Sequence, residues 1–104
     1  VIRLDPQGRD YLRVLGGPPE TSTMRSGLVI LAPGKSMDKH STERFEELVV
    51  VLEGEGEMHL AGGEVLKLEA GCAAYCPPQT EHDVRNVGAK TLRYLYVVAE
   101  AKKQ

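Results

Sequence analysis

At 104 residues the chain has room for one domain around a single core, and is short of the size at which a second core forms. Apolar residues make up 41% and charged residues 27%, the composition of a soluble globular protein, and a formal charge of −2 with scattered basic residues gives no electrostatic case for binding nucleic acid. Apolar runs such as Leu48–Leu52 are far below the roughly 20 residues that span a bilayer, which argues against a membrane helix.

Residues 1–25 read as an N-terminal arm and edge strand. Asp5-Pro6-Gln7-Gly8 forms a turn, Tyr11–Leu15 a strand, and Gly16-Gly17-Pro18-Pro19 a break. Residues 26–99 form the body of the domain. Ser26–Leu31 is a strand ended by Ala32-Pro33-Gly34, where proline and glycine set a tight turn. From Glu46 the chain runs through Leu48–Leu52, and apolar residues at successive positions predict that both faces of this strand are covered. Glu57–Leu60 alternates, turns at Ala61-Gly62-Gly63 and resumes at Val65–Glu69 as a hairpin. Met58 and Leu60 then point inward and His59 to solvent.

Cys72–Cys76 is a short apolar strand closed by Pro77-Pro78. An extended segment of that length holds its two end Cα atoms roughly 13 Å apart, beyond the ~7 Å a disulfide tolerates, so both thiols are expected free. Glu81–Val87 alternates, Val87–Lys90 turns, and a last strand runs from Thr91 to Val98. Residues 100–104 are a tail carrying a solvated Lys102-Lys103 pair. The chain opens Val1-Ile2-Arg3 with no apolar signal core, so a cytoplasmic location is expected. Eight or so short strands with Gly and Pro punctuation, and no apolar stripe at helical spacing, define an all-β antiparallel sandwich or barrel.

Chemistry concentrates in two segments, one carrying His40 and Glu47, the other His82. With His82 inward, Val84 and Asn86 follow, leaving Asp83 and Arg85 for solvent; Glu47 shares its face with Val49 and Val51. A carboxylate heading an apolar inward row is unfavourable to bury unless a cation compensates it. Two imidazoles and a carboxylate suit Zn, Mn, Fe, Ni or Cu. On pattern alone the same residues also read as a loop histidine, a polar strand end and a turn histidine.

The spacing of the two segments resembles the paired motifs of the cupin superfamily. Gly34, His40, Glu47 and Gly54 fall at the positions of the first motif, and Gly71, Pro77, His82 and Asn86 at those of the second. Two positions depart: Thr42 stands where that family has a second histidine, and Gln79 where it has glycine. The resemblance implies a single-domain cupin barrel, a divalent metal ion held by His40, Glu47 and His82, and Glu47 as a catalytic proton carrier. Glu43 and Glu46 are reserve carboxylates. Thr42, Phe45, Met58, Tyr75, Tyr94 and Tyr96 are the expected pocket residues; Cys76 could join Phe45, Met58 and Tyr75 at the mouth, but with no sequence neighbour to activate its thiol it reads first as packing.

The expected partner is a small-molecule ligand or substrate, with no nucleic acid and no membrane. The resemblance also implies a homodimer in which residues 9–15 pair with a second copy. Two functions follow from it: a metal-dependent enzyme on a small oxygenated substrate, dioxygenase- or isomerase-like, or a non-catalytic module binding a sugar or effector in a metal-free polar cluster.

Overall fold

The computed structural model describes residues 1–102; Lys103 and Gln104, which complete the basic pair and the tail, lie outside the described residues. Nine strands account for the regular structure: β1 Tyr11–Gly16, β2 Arg25–Leu31, β3 Ser36–Ser41, β4 Phe45–Glu53, β5 Glu55–Leu60, β6 Val65–Glu69, β7 Ala73–Cys76, β8 Glu81–Arg85 and β9 Leu92–Glu100. They form a five-stranded sheet in the order β1-β2-β9-β4-β7 and a four-stranded sheet in the order β3-β8-β5-β6. All pairings are antiparallel. No helix occurs among the described residues, and the fold is an all-β jelly roll.

The inner faces of the two sheets meet in one core. Val29 and Leu31 on β2, Val49 and Val51 on β4, and Leu92 and Tyr94 on β9 face Met58 on β5, Leu68 on β6 and Val84 on β8. Each such aliphatic burial stabilises by about 1.5–3 kcal/mol. The β-branched runs of β2 and β4 suit the pleated, crowded surface they occupy. Gly54, between β4 and β5, has φ +82°, and a Cβ there would lie 2.3 Å from the Thr91 carbonyl oxygen, so only glycine fits.

Register decides what faces inward. Val51, Tyr94 and Val29 stand in one cross-strand row; Val49, Tyr96 and Gly27 form the next; Glu47, Val98 and Arg25 form the third. Moving along the large sheet from the first row to the third, the inward side chains change from mainly apolar to charged. That polar end is where the site lies.

Three expectations need correction. β4 is not covered on both sides: Leu48 and Leu52 on its outer face are 41% and 44% exposed. Cover on the outer face lies elsewhere, around the fully buried Leu28, with the Arg93 guanidinium donating to the Leu4 carbonyl of the N-terminal segment. The unbroken apolar run therefore reflects strand propensity rather than two-sided burial. Asp83, assigned to solvent, is only 7% exposed. Arg85 folds back onto it with Nε and Nη2 at 2.9 and 3.1 Å, and His59 is its cross-strand neighbour, so a polar outer face buries its own carboxylate. That guanidinium holds the Asp83 carboxyl below the usual range. His59 itself is half-buried and sits 2.9 Å from Glu57. Third, Ser36–Ser41, which the strand pattern leaves unassigned between the Ala32-Pro33-Gly34 turn and Glu46, is the strand β3.

A candidate metal centre at the open end of the barrel

The site takes one side chain from each of three strands. β3 and β8 pair so that His40 stands directly opposite His82, and their rings lie 4.4 Å apart between centroids at a 54° tilt. Glu47 comes from β4 in the other sheet. On β3, Met37 and His40 are three positions apart and would face opposite ways in a regular strand. The register shift between them supplies an extra residue, so both side chains turn into the barrel.

One ligand atom from each of His40, Glu47 and His82 lies within 4.8 Å of the other two. His82 Nε2 stands 3.1 Å from Glu47 Oε1. Two ligands each ~2.1 Å from a common ion, at angles of roughly 90–110°, would stand ~3.0–3.4 Å apart, so this separation fits cis ligation. The outer ring nitrogens are already engaged. His40 Nδ1 is 2.8 Å from the Asp38 carbonyl and His82 Nδ1 3.2 Å from the Thr80 carbonyl. An Nδ1–H donating to each carbonyl leaves Nε2 with its lone pair free, the tautomer a metal ligand needs. The donor set of two nitrogens and a carboxylate fits a divalent transition ion.

Burial shapes the electrostatics. Burial opposes charge on His82, but the Glu47 carboxylate and the Thr80 carbonyl outweigh it, and its pKa is raised. Burial, followed by the charge of Glu47, pushes the Cys76 thiol up to about 11. Cys76 pairs with Glu47 in register and is fully buried, which makes it packing behind the site and not part of the mouth. Burial and then Glu47 also hold Tyr94 well above its ordinary value.

The two motif departures have structural explanations. Thr42 Oγ1 donates to the Pro77 carbonyl at 2.7 Å and accepts from the Thr80 amide at 3.1 Å, so its hydroxyl clips the 77–80 loop rather than facing an ion. Gln79 has φ +54°, the left-handed region where glycine is at ease, and its amide donates to the Glu43 carbonyl at 2.8 Å. The loop thus keeps its shape without the glycine, at about 1–2 kcal/mol of strain. Asn86 is structural: its amide donates to the Leu31 and Lys90 carbonyls at 2.8 and 2.9 Å.

Above the three ligands opens a cavity of about 730 Å³. His40 and Glu47 line it with Thr42, Phe45, Tyr94 and Tyr96, while His82 lies behind them at 1% exposure. Two expected pocket residues are elsewhere. Met58 is sealed in the core, and Tyr75 is on the outer face, where its hydroxyl donates to Glu46 Oε1 at 3.0 Å. Because Cys76 faces inward opposite Glu47, its neighbour Tyr75 must face out. That bond also accounts for Glu46, and Glu43 occupies a loop with φ +55°. Among the wall residues that the sequence pattern did not place in the pocket are Tyr11, whose hydroxyl lies 2.6 Å from that of Tyr96, and Arg25. Arg25 shares the strand parity of Val29 and Leu31, so extending β2 by one residue would have found it.

Fold and donor set together define a jelly-roll barrel with an inward His/Glu/His cluster of the kind that can hold a metal ion. Residues 27–98 match the family profile described as Cupin domain, and the chain belongs to the cupin family. Among curated relatives, Polyketide synthase CurC of Streptomyces cyaneus is 36% identical over 70 residues, covering 67% of this chain and 45% of that protein. The chain therefore spans less than half the length of that relative. Among solved structures, a Cupin 2 conserved barrel domain protein from Salinispora arenicola is 25% identical with a TM-score of 0.75, covering 97% of this chain and 82% of the other. The Cnp3 cupin domain of Schizosaccharomyces pombe reaches a TM-score of 0.78 at 14% identity, over 88% of this chain and 64% of the other.

Proposed function

We propose that this cupin is a metal-dependent enzyme acting on a small oxygenated substrate, with a divalent ion held by His40, Glu47 and His82. The observation that carries this reading is the convergence of the three ligand atoms within 4.8 Å beneath a cavity large enough for a substrate. Such an ion supplies Lewis-acid polarisation of a carbonyl or enol oxygen, or a redox centre if it is iron. The chain's own contribution is orientation and proton handling. The carbonyls of Asp38 and Thr80 fix the imidazoles, and Glu47 carries a proton at the carboxylate oxygen turned away from His82. The name of the Streptomyces cyaneus relative is consistent with a carbonyl- and hydroxyl-rich substrate.

One observation favours a second reading, a non-catalytic module for a sugar or effector. Thr42 replaces a ligating histidine and its hydroxyl is committed to the loop, leaving three protein ligands. Under both readings the protein works in the cytoplasm as a homodimer, with β1 at the sheet edge as the strand that meets the second copy. Candidate β-dicarbonyl and polyphenol substrates incubated with pure protein separate the two. Steady consumption that a chelator abolishes and a divalent ion restores supports the enzyme; saturable binding without consumption supports the module.

A further inference from the structure

Arg25 opens β2 and stands in the same cross-strand row as Glu47, with Val98 between them. Two inter-strand steps of about 4.8 Å place its Cα roughly 10 Å from that of Glu47, a span that a small molecule can bridge. Its side chain follows a defined path. A Cβ on Gly17 would lie 2.7 Å from Arg25 Nε, so the side chain runs over a residue that has none, and the guanidinium carbon stands 5.5 Å from the centre of the Phe45 ring. Stacking on an aromatic face orients a guanidinium while leaving its N–H edge free.

Among the described residues Arg25, like Arg3, Arg9 and Arg93, has no carboxylate partner, but of these four only Arg25 lines the cavity. Arg13 pairs with Glu20, Arg44 with Glu100 and Arg85 with Asp83, whereas no carboxylate lies within 4.0 Å of Arg25 among the described residues. The charged side chains lining the cavity are Asp10, Arg25 and Glu47, with His40 neutral when it ligates. With a divalent ion present their charges sum to one positive charge, which selects an anionic ligand. A second donor is waiting. The Tyr94 hydroxyl engages no protein hydrogen bond among the described residues, although the residue is 2% exposed and lines the same cavity.

We propose that Arg25 is the anchor for a carboxylate or equivalent anionic group of the ligand, which lies across the cavity with its other oxygens at the His40 and Glu47 end. The inference rests on the metal-centre reading above, and it narrows the substrate class to anionic molecules. Arg25 is here a specificity-determining residue, separate from the three ligands.

The test uses the metal-loaded full chain and two probes with the same catechol head: 3-(3,4-dihydroxyphenyl)propanoate, which has a carboxylate, and 4-ethylcatechol, which has none. Titration calorimetry on wild type should show the acid binding at least ~10-fold tighter. In Arg25→Gln that preference should vanish with affinity for 4-ethylcatechol unchanged, and Arg25→Lys should retain part of it. Metal content is measured on each sample. A wild type without preference, or a preference that survives Arg25→Gln with metal in place, overturns the inference. A wild type that loads no metal overturns the metal-centre reading instead, and the same comparison on metal-free protein still decides the role of Arg25.

Discussion

His82 Nε2 and Glu47 Oε1 stand 3.1 Å apart although they come from opposite sheets and are 35 positions apart in sequence. Both are buried, at 1% and 8% exposure, so each is the other's main compensation when no cation is bound. His82→Ala should therefore destabilise chelator-treated protein by about 3 kcal/mol or more, since it leaves a buried carboxylate unpaired. Urea unfolding measures this. A change below ~1 kcal/mol would mean that the pair is not formed in solution.

The raised pKa of His82 sets the pH dependence in two opposite ways. In metal-free protein the folded state holds the His82 proton more tightly than the unfolded chain does. The resulting stability is fully present below the unfolded histidine value of about 6.5, and is lost as pH rises through the higher folded value. Metal binding must displace that proton, so stabilisation by added ion should grow across the same interval. Thermal midpoints with and without a divalent ion, between pH 5.5 and 8.5, check both trends; parallel curves would contradict them.

Thr42→Val should separate structure from ligation. The substitution keeps the shape but removes a hydroxyl that both donates to Pro77 and accepts from Thr80. Stability should fall by about 1–3 kcal/mol with bound metal unchanged. Loss of metal at retained stability would place Thr42 in the coordination sphere instead.

Tyr94→Phe removes the unpartnered hydroxyl of the cavity while keeping the ring that packs against Val29 and Val51. Fold and metal content should be preserved, and kcat/KM for an oxygenated substrate should drop roughly tenfold, the loss of one hydrogen bond to the ligand. An unchanged kcat/KM would leave Tyr94 as core packing alone.

Much of this was legible in the sequence, for identifiable reasons. The runs Leu28–Leu31 and Leu48–Leu52 announce β2 and β4, and period-two alternation puts Glu47 beside Val49 and His82 beside Val84. β3 was not legible because Ser36–Ser41 contains no β-branched or aromatic residue and one apolar side chain, Met37; its extension is imposed by pairing with β8. The inward turn of His40 depends on the bulge after Met37, which no alternation rule foresees. The misplaced Tyr75 was avoidable, since Tyr75 and Cys76 are adjacent in one strand and cannot both face the pocket. Asp83 was not, since its burial comes from Arg85 folding back over it.

The most direct test is the metal content of purified protein by mass spectrometry, in wild type, His40→Ala, Glu47→Gln and His82→Ala, with His59→Ala as a control outside the site. Wild type and the control should hold about one divalent ion per chain, and the other three little or none. Wild-type protein that is metal-free and gains no thermal stability from Mn, Fe, Ni, Cu or Zn would contradict it.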